Sequence, residues 1–135
     1  MARVIKINHI GILTGDIQDS LVFWRDALGM EVSGIQDIPA EAAQIAFLPS
    51  GESELELVMP MTADSGLTRS LEKRGPGVHH ICLEVDDIEG MLQQLREKGV
   101  MLINKEPKVA ADGKKYAFIH PKSAGGVMVE LYQLD

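Results

Sequence analysis

The sequence holds a single cysteine, Cys82, among 135 residues. No internal disulfide can form, and the chain suits a reducing compartment. Cys82 itself sits in the apolar run Ile81-Cys82-Leu83 and reads as a buried strand residue. Long hydrophobic runs are missing as well. The opening Met1-Ala2-Arg3-Val4-Ile5-Lys6-Ile7-Asn8-His9 has no uninterrupted apolar stretch of the secretory kind, and no later segment approaches the roughly 20 apolar residues of a membrane span. These absences point to a soluble, cytoplasmic protein with no membrane partner. Positive charge is also in short supply, with 13 Lys and Arg against 20 Asp and Glu and a net charge of -7. Such a balance excludes a nucleic-acid partner, which needs a basic surface to displace phosphate counterions. What remains is a chain with 45% hydrophobic residues, ample for one domain or two small modules sharing a core.

Two segments of the chain follow one pattern. His9-Ile10-Gly11-Ile12-Leu13-Thr14-Gly15-Asp16-Ile17 aligns with His80-Ile81-Cys82-Leu83-Glu84-Val85-Asp86-Asp87-Ile88, and Glu56-Leu57 later finds its echo in Glu130-Leu131. Each opening segment is rich in aliphatic and β-branched residues and predicts a strand. A helix follows in each copy. Asp16 is placed to cap the first, with Ile17, Leu21, Trp24 and Leu28 at helical spacing and Gly29 ending it. Asp87 does the same for the second, with Ile88, Met91, Leu92 and Leu95 and a terminating Gly99. Three extended segments complete each copy, at 30–37, 43–49 and 54–60, then 100–104, 115–120 and 127–133. The prediction is an α+β fold of two tandem βαβββ modules, 1–63 and 78–135, within one domain spanning 1–135. A linker at 64–77 joins them, carrying a short helix over Leu67–Arg74 and the breaker Gly75-Pro76-Gly77. Trp24 and the methionines read as core filler.

The repeat puts four potential metal ligands in equivalent places: His9 and Glu56 in the first copy, His80 and Glu130 in the second. Strands alternate faces, so Val127, Val129 and Leu131 share an apolar side while Glu130 lies on the other with Met128 and Tyr132. Glu56 is likewise opposite Leu55 and Leu57. If the strands form a curved mixed sheet, all four side chains enter one cavity. Two imidazoles and two carboxylates suit one divalent ion of the Co, Ni, Mn or Zn type rather than calcium, which prefers oxygen alone. His79 is out of phase with the repeat and is read as a structural or supporting group. Between Lys105 and Lys122, five lysines (Lys105, Lys108, Lys114, Lys115, Lys122) face only Glu106 and Asp112, a basic corner suited to an anionic small molecule.

With these residues in place, the chain resembles the vicinal oxygen chelate superfamily, which has the glyoxalase or bleomycin-resistance fold. Within it, Val4–Gly11, Leu55–Leu57, Gly77-Val78-His79-His80-Ile81, Val85–Ile88, Phe118-Ile119-His120-Pro121-Lys122-Ser123 and Gly125–Leu131 are similar to the methylmalonyl-CoA epimerase family. The resemblance implies a metal that chelates the thioester carbonyl and the carboxylate of an acyl-CoA substrate. The α-proton then leaves to give a metal-stabilised enolate and returns from the opposite face, interconverting (2R)- and (2S)-methylmalonyl-CoA. Glu130 is implied as ligand and base together. For the second base, some members carry a glutamate where alignment through Pro39 and Phe47 places Ile45. The Pro-Glu-Gln-Gly of many relatives is here Pro39-Ala40-Glu41-Ala42, which leaves Glu41 as the substitute. His120, Lys122 and Ser123 are candidates to contact the acyl carboxylate or the CoA phosphates, and a structural turn accounts for them equally well. Glyoxalase I shares the architecture, but the Asp-Pro-Asp-Gly run typical of it is replaced by Pro121–Val127. Non-catalytic resistance proteins of the same fold commonly lack the metal quartet. A homodimer is expected, since paired modules leave strand edges and apolar surface to cover.

Overall fold

The computed structural model describes residues 1–134. Along the chain run β1 (Val4–Leu13), α1 (Ile17–Leu21), β2 (Gly34–Ile38), β3 (Ala43–Ser50), β4 (Ser53–Pro60), α2 (Gly66–Arg74), β5 (Gly77–Val85), α3 (Ile88–Glu97), β6 (Lys108–Val109), β7 (Lys115–Ile119) and β8 (Met128–Gln133). The order βαβββ occurs twice with α2 between, the α+β arrangement that the repeat predicts. Strand neighbours repeat too: 2-3-4-1 in the first copy and 6-7-8-5 in the second. Among the described residues, no helix is long and apolar enough to cross a membrane.

Compact packing divides the chain into Ile10–His79 and a second unit of Met1–His9 with the segment from His80 onward. The repeat and the packing therefore follow different boundaries, with β1 divided after His9. The cause is visible at the N-terminus. The Ala2 amide donates to Gln94 Oε1 (2.6 Å), Arg3 N donates to Asp86 Oδ1 (2.8 Å), and Asp86 N donates back to the Arg3 carbonyl (3.2 Å).

In the unit Ile10–His79, β2, β3 and β4 are antiparallel, with Gly34 opposite Phe47 and Ala46 opposite Leu57. Asp16 caps α1 by accepting from Asp19 N. The helix is not regular throughout: after five α residues it widens into a π-helical stretch over Val22–Ala27, where Leu28 N donates to the Phe23 carbonyl five residues back. The wider turn breaks the predicted apolar stripe. Ile17 and Leu21 stay fully buried against Ala46, Leu48 and Leu57, whereas Leu28 is turned to solvent at 56% exposure. Gly29 ends the element at φ 84°, as a left-handed terminator requires. The strand predicted from residue 30 starts only at Gly34.

The other unit is built on β5, β8, β7 and β6, with β5 and β8 parallel and the remaining pairs antiparallel. Asp87 caps α3 by accepting from Gly90 N (3.0 Å). The helix then lays Ile88, Met91 and Leu92 against Val85, Ala117, Ile119 and Leu131. Six large buried apolar side chains in one cluster, at roughly 1.5–3 kcal/mol each, with Ala117 between them, are the main force holding this unit together. The strand predicted at 100–104 does not form. Only Leu102 bridges to Ile119, because the Asn104 side chain takes the Phe118 N–H (2.8 Å) that a regular ladder would give to a backbone carbonyl. The short strand in its place is Lys108–Val109.

Candidate metal centre

β1, β5 and β8 are neighbours in that order, and each contributes one inward residue. His9 on β1 is buried at 1% exposure and Glu130 on β8 at 6%; His80 on β5 is largely covered. His9 Nε2 lies 3.1 Å from His80 Nε2, and each of these nitrogens is 3.4 Å from Glu130 Oε1. The two imidazole rings meet edge to face, 5.2 Å between centroids, and Tyr132 closes against His9 at 5.4 Å. Strand geometry explains the convergence. In the parallel ladder Cys82 stands opposite Glu130, and His80 is two residues before Cys82, hence on its face. Leu131, one residue on, points to the other side and joins the apolar cluster.

The donor set fits a divalent cation. A point equidistant from the three atoms lies about 1.9 Å from each corner of the triangle, so an ion just off their plane sits at the ~2.0–2.2 Å of imidazole and carboxylate bonds. Three electron-rich atoms at this separation in a buried setting also repel one another unless a proton or a cation lies between them.

Of the four predicted ligands, the structure brings His9, His80 and Glu130 together. Glu56 belongs to the other unit, buried at 9% exposure on β4 opposite Phe47. The sequence reading missed the position of Cys82. Its sulfur, with a nitrogen of His9 and an oxygen of Glu130, forms a group of ligand atoms all within 4.8 Å of one another. The signal was its place two residues after His80, on the same strand face. His79 lies off this cluster, lining a cavity of about 210 Å³ with Leu13, Ser70 and Arg74. Burial, and after it the Arg74 cation, hold its imidazole below the ordinary value.

The remaining candidates have other surroundings. Glu41 is exposed in a 3-10 turn over Pro39–Glu41; β3 starts at Ala43, so Glu41 does not share a strand face with Ile45. Ile45 is buried with Ala43 and Val58. His120 Nδ1 accepts from Lys122 N (3.0 Å), and Ser123 Oγ accepts from Met101 N (2.9 Å), so both side chains hold the turn after β7. Lys122 is exposed. In the basic corner Lys114 pairs with Asp112 (3.3 Å) and lies 5.9 Å above the Tyr132 ring, and Lys115 reaches Glu89 (3.4 Å).

The model of the glyoxalase/bleomycin resistance protein/dioxygenase superfamily matches residues 8–118, most of the chain. The chain belongs to that superfamily. Within it, the sequence is 36% identical over 129 residues to the mitochondrial methylmalonyl-CoA epimerase of Mus musculus, covering 95% of this chain and 72% of the relative. It is 36% identical over 131 residues to the ethylmalonyl-CoA/methylmalonyl-CoA epimerase of Cereibacter sphaeroides, covering 96% and 98%. Among solved structures, a Streptomyces coelicolor methylmalonyl-CoA epimerase variant in complex with 2-nitronate-propionyl-CoA superposes with a TM-score of 0.85 at 32% identity, over 97% of this chain and 98% of that one. The chain thus resembles these epimerases over at least 95% of its own length, as the sequence motifs anticipated.

Proposed function

We propose that this protein interconverts (2R)- and (2S)-methylmalonyl-CoA by moving the proton on the carbon between the thioester and the carboxylate. The observation that carries this reading is the convergence of His9, His80 and Glu130 in a chain similar to an epimerase over 96% of its length. His9, His80 and Glu130 would hold a divalent ion. When bound, such an ion supplies positive charge beside the carbonyl oxygen on which negative charge gathers as the proton leaves. The protein's own residues do the rest. Glu130 turns Oε1 toward both imidazoles, leaving its second oxygen to take the α-proton. Its burial keeps bulk water from competing for the proton. Return of a proton to the opposite face needs a second acid on that side of the carbon. Lys122, exposed in the basic corner, meets the anionic substrate. We also read the chain as cytoplasmic and as a homodimer, the pairing supported by the apolar side chains that β1 leaves uncovered, Val4, Ile5 and Ile7.

Incubating the enzyme with one epimer in D₂O tests the reaction. Deuterium in the α-position together with formation of the other epimer is expected. Turnover of the methylglyoxal–glutathione adduct with no label in methylmalonyl-CoA would replace the epimerase reading by glyoxalase I.

A further inference from the structure

A hydrogen-bonded chain behind His9 has no part in the reading so far. Asn8 Nδ2 lies 3.2 Å from Glu84 Oε1, Asn8 Oδ1 lies 2.8 Å from His9 Nδ1, and Lys6 Nζ stands 4.0 Å from the same Glu84 oxygen. Glu84 is a residue of β5 and the other three belong to β1. We infer that Glu84 and Asn8 are positioning residues that lock His9 in the tautomer with hydrogen on Nδ1, so that Nε2 presents its lone pair to the metal centre.

Each link follows from what a group can donate. A carboxylate only accepts, so the Asn8 NH₂ must face Glu84. Turning the amide round would set its oxygen against the carboxylate, two acceptors in contact in a partly buried place. With the NH₂ committed, the Asn8 oxygen faces the ring, and an amide oxygen also only accepts. His9 Nδ1 therefore carries the hydrogen, and in the neutral ring Nε2 has none. That nitrogen is the atom 3.1 Å from His80 Nε2 and 3.4 Å from Glu130 Oε1. Lys6, two residues before Asn8 and on its side of the strand, places a cation beside the Glu84 carboxylate. Ligating histidines are commonly fixed through their second nitrogen in this manner, and loss of the outer partner weakens metal binding.

The inference rests on the metal reading of the site, and its first measurement does not require metal. In the metal-free chain, ¹H–¹⁵N long-range NMR at alkaline pH is expected to show His9 with hydrogen on Nδ1. Hydrogen on Nε2 would overturn the lock. Asn8→Ala should populate both tautomers and lower Co²⁺ affinity about 10- to 100-fold in competition with a chelating dye. The double variant Asn8→Asp/Glu84→Gln keeps the charge and reverses the donor between the two residues, while leaving an acceptor toward His9. It should restore affinity to within a few-fold, which a merely destabilised fold would not do. Unchanged Co²⁺ affinity in Asn8→Ala, or no recovery in the double variant, would also overturn the lock. Hydrogen on Nδ1 and tight Co²⁺ binding without epimerisation would support the lock and remove only the epimerase reading. A chain that binds no Co²⁺ would overturn both.

Discussion

The cluster of His9, His80 and Glu130 and the turn holding His120, Lys122 and Ser123 are both built on polar side chains, a histidine in each, yet the fold treats them differently. In the turn, His120 accepts the Lys122 N–H and closes the chain reversal between β7 and β8, while Ser123 accepts the Met101 N–H and ties the turn to the segment before β6. In the cluster, two buried polar side chains and the partly buried His80, on three strands, aim at one another, and the ladders there run through the backbone without their help. Polar residues that replace a missing backbone bond have a structural reason to be present. Buried ones that converge without such a duty cost stability and need a chemical reason.

The sharpest way to break this contrast is Glu130→Gln. The amide has no basic oxygen to take a proton, so α-proton exchange should fall about 10²- to 10⁴-fold, read by deuterium incorporation. The same change at exposed Glu97 should leave the rate where it was. Next in size is Leu131→Ala, one residue along the same strand and 2% exposed in the apolar cluster. It should lower the free energy of unfolding by about 2–5 kcal/mol in urea titration, with exchange by the folded fraction little changed. Adjacent residues of β8 would then separate chemistry from packing.

That separation was readable in the sequence. Alternation in Val127–Tyr132 sets Glu130 apart from Leu131, and the match between His9 and His80 points both imidazoles to one place. The π-helical stretch was not readable, because Ile17, Leu21, Trp24 and Leu28 keep ordinary helical spacing and nothing in the side chains announces the wider turn. The missing strand at 100–104 turns on one bond, donated by Phe118 N to Asn104 Oδ1, which no local pattern encodes. Asn8 was invisible for the same kind of reason: its partner Glu84 is 76 residues away. Glu41 looked eligible only while β3 was free to begin before Ala43.

Smaller effects sharpen the comparison from the side of the turn. Ser123→Ala removes the acceptor of Met101 N and should cost about 0.5–1.5 kcal/mol of stability without altering KM. Lys122→Ala should instead raise KM for methylmalonyl-CoA, and the difference from the unsubstituted enzyme should shrink as salt is added. The slightest effect concerns His79. Its folded-state proton affinity is lowered by burial and by Arg74, so the unfolded chain binds more protons as pH falls from the ordinary 6.5 toward the depressed folded value. Stability should decline across that window on acidification and recover as pH rises. His79→Gln should flatten this part of the curve in urea unfolding at a series of pH values.

The central claim is that His9, His80 and Glu130 surround one divalent ion. Crystals grown with Co²⁺ and measured at the cobalt absorption edge address it directly. The account predicts an anomalous peak bounded by His9 Nε2, His80 Nε2 and Glu130 Oε1. A map with no peak at that position, from crystals of a chain whose exchange activity survives EDTA, would contradict it.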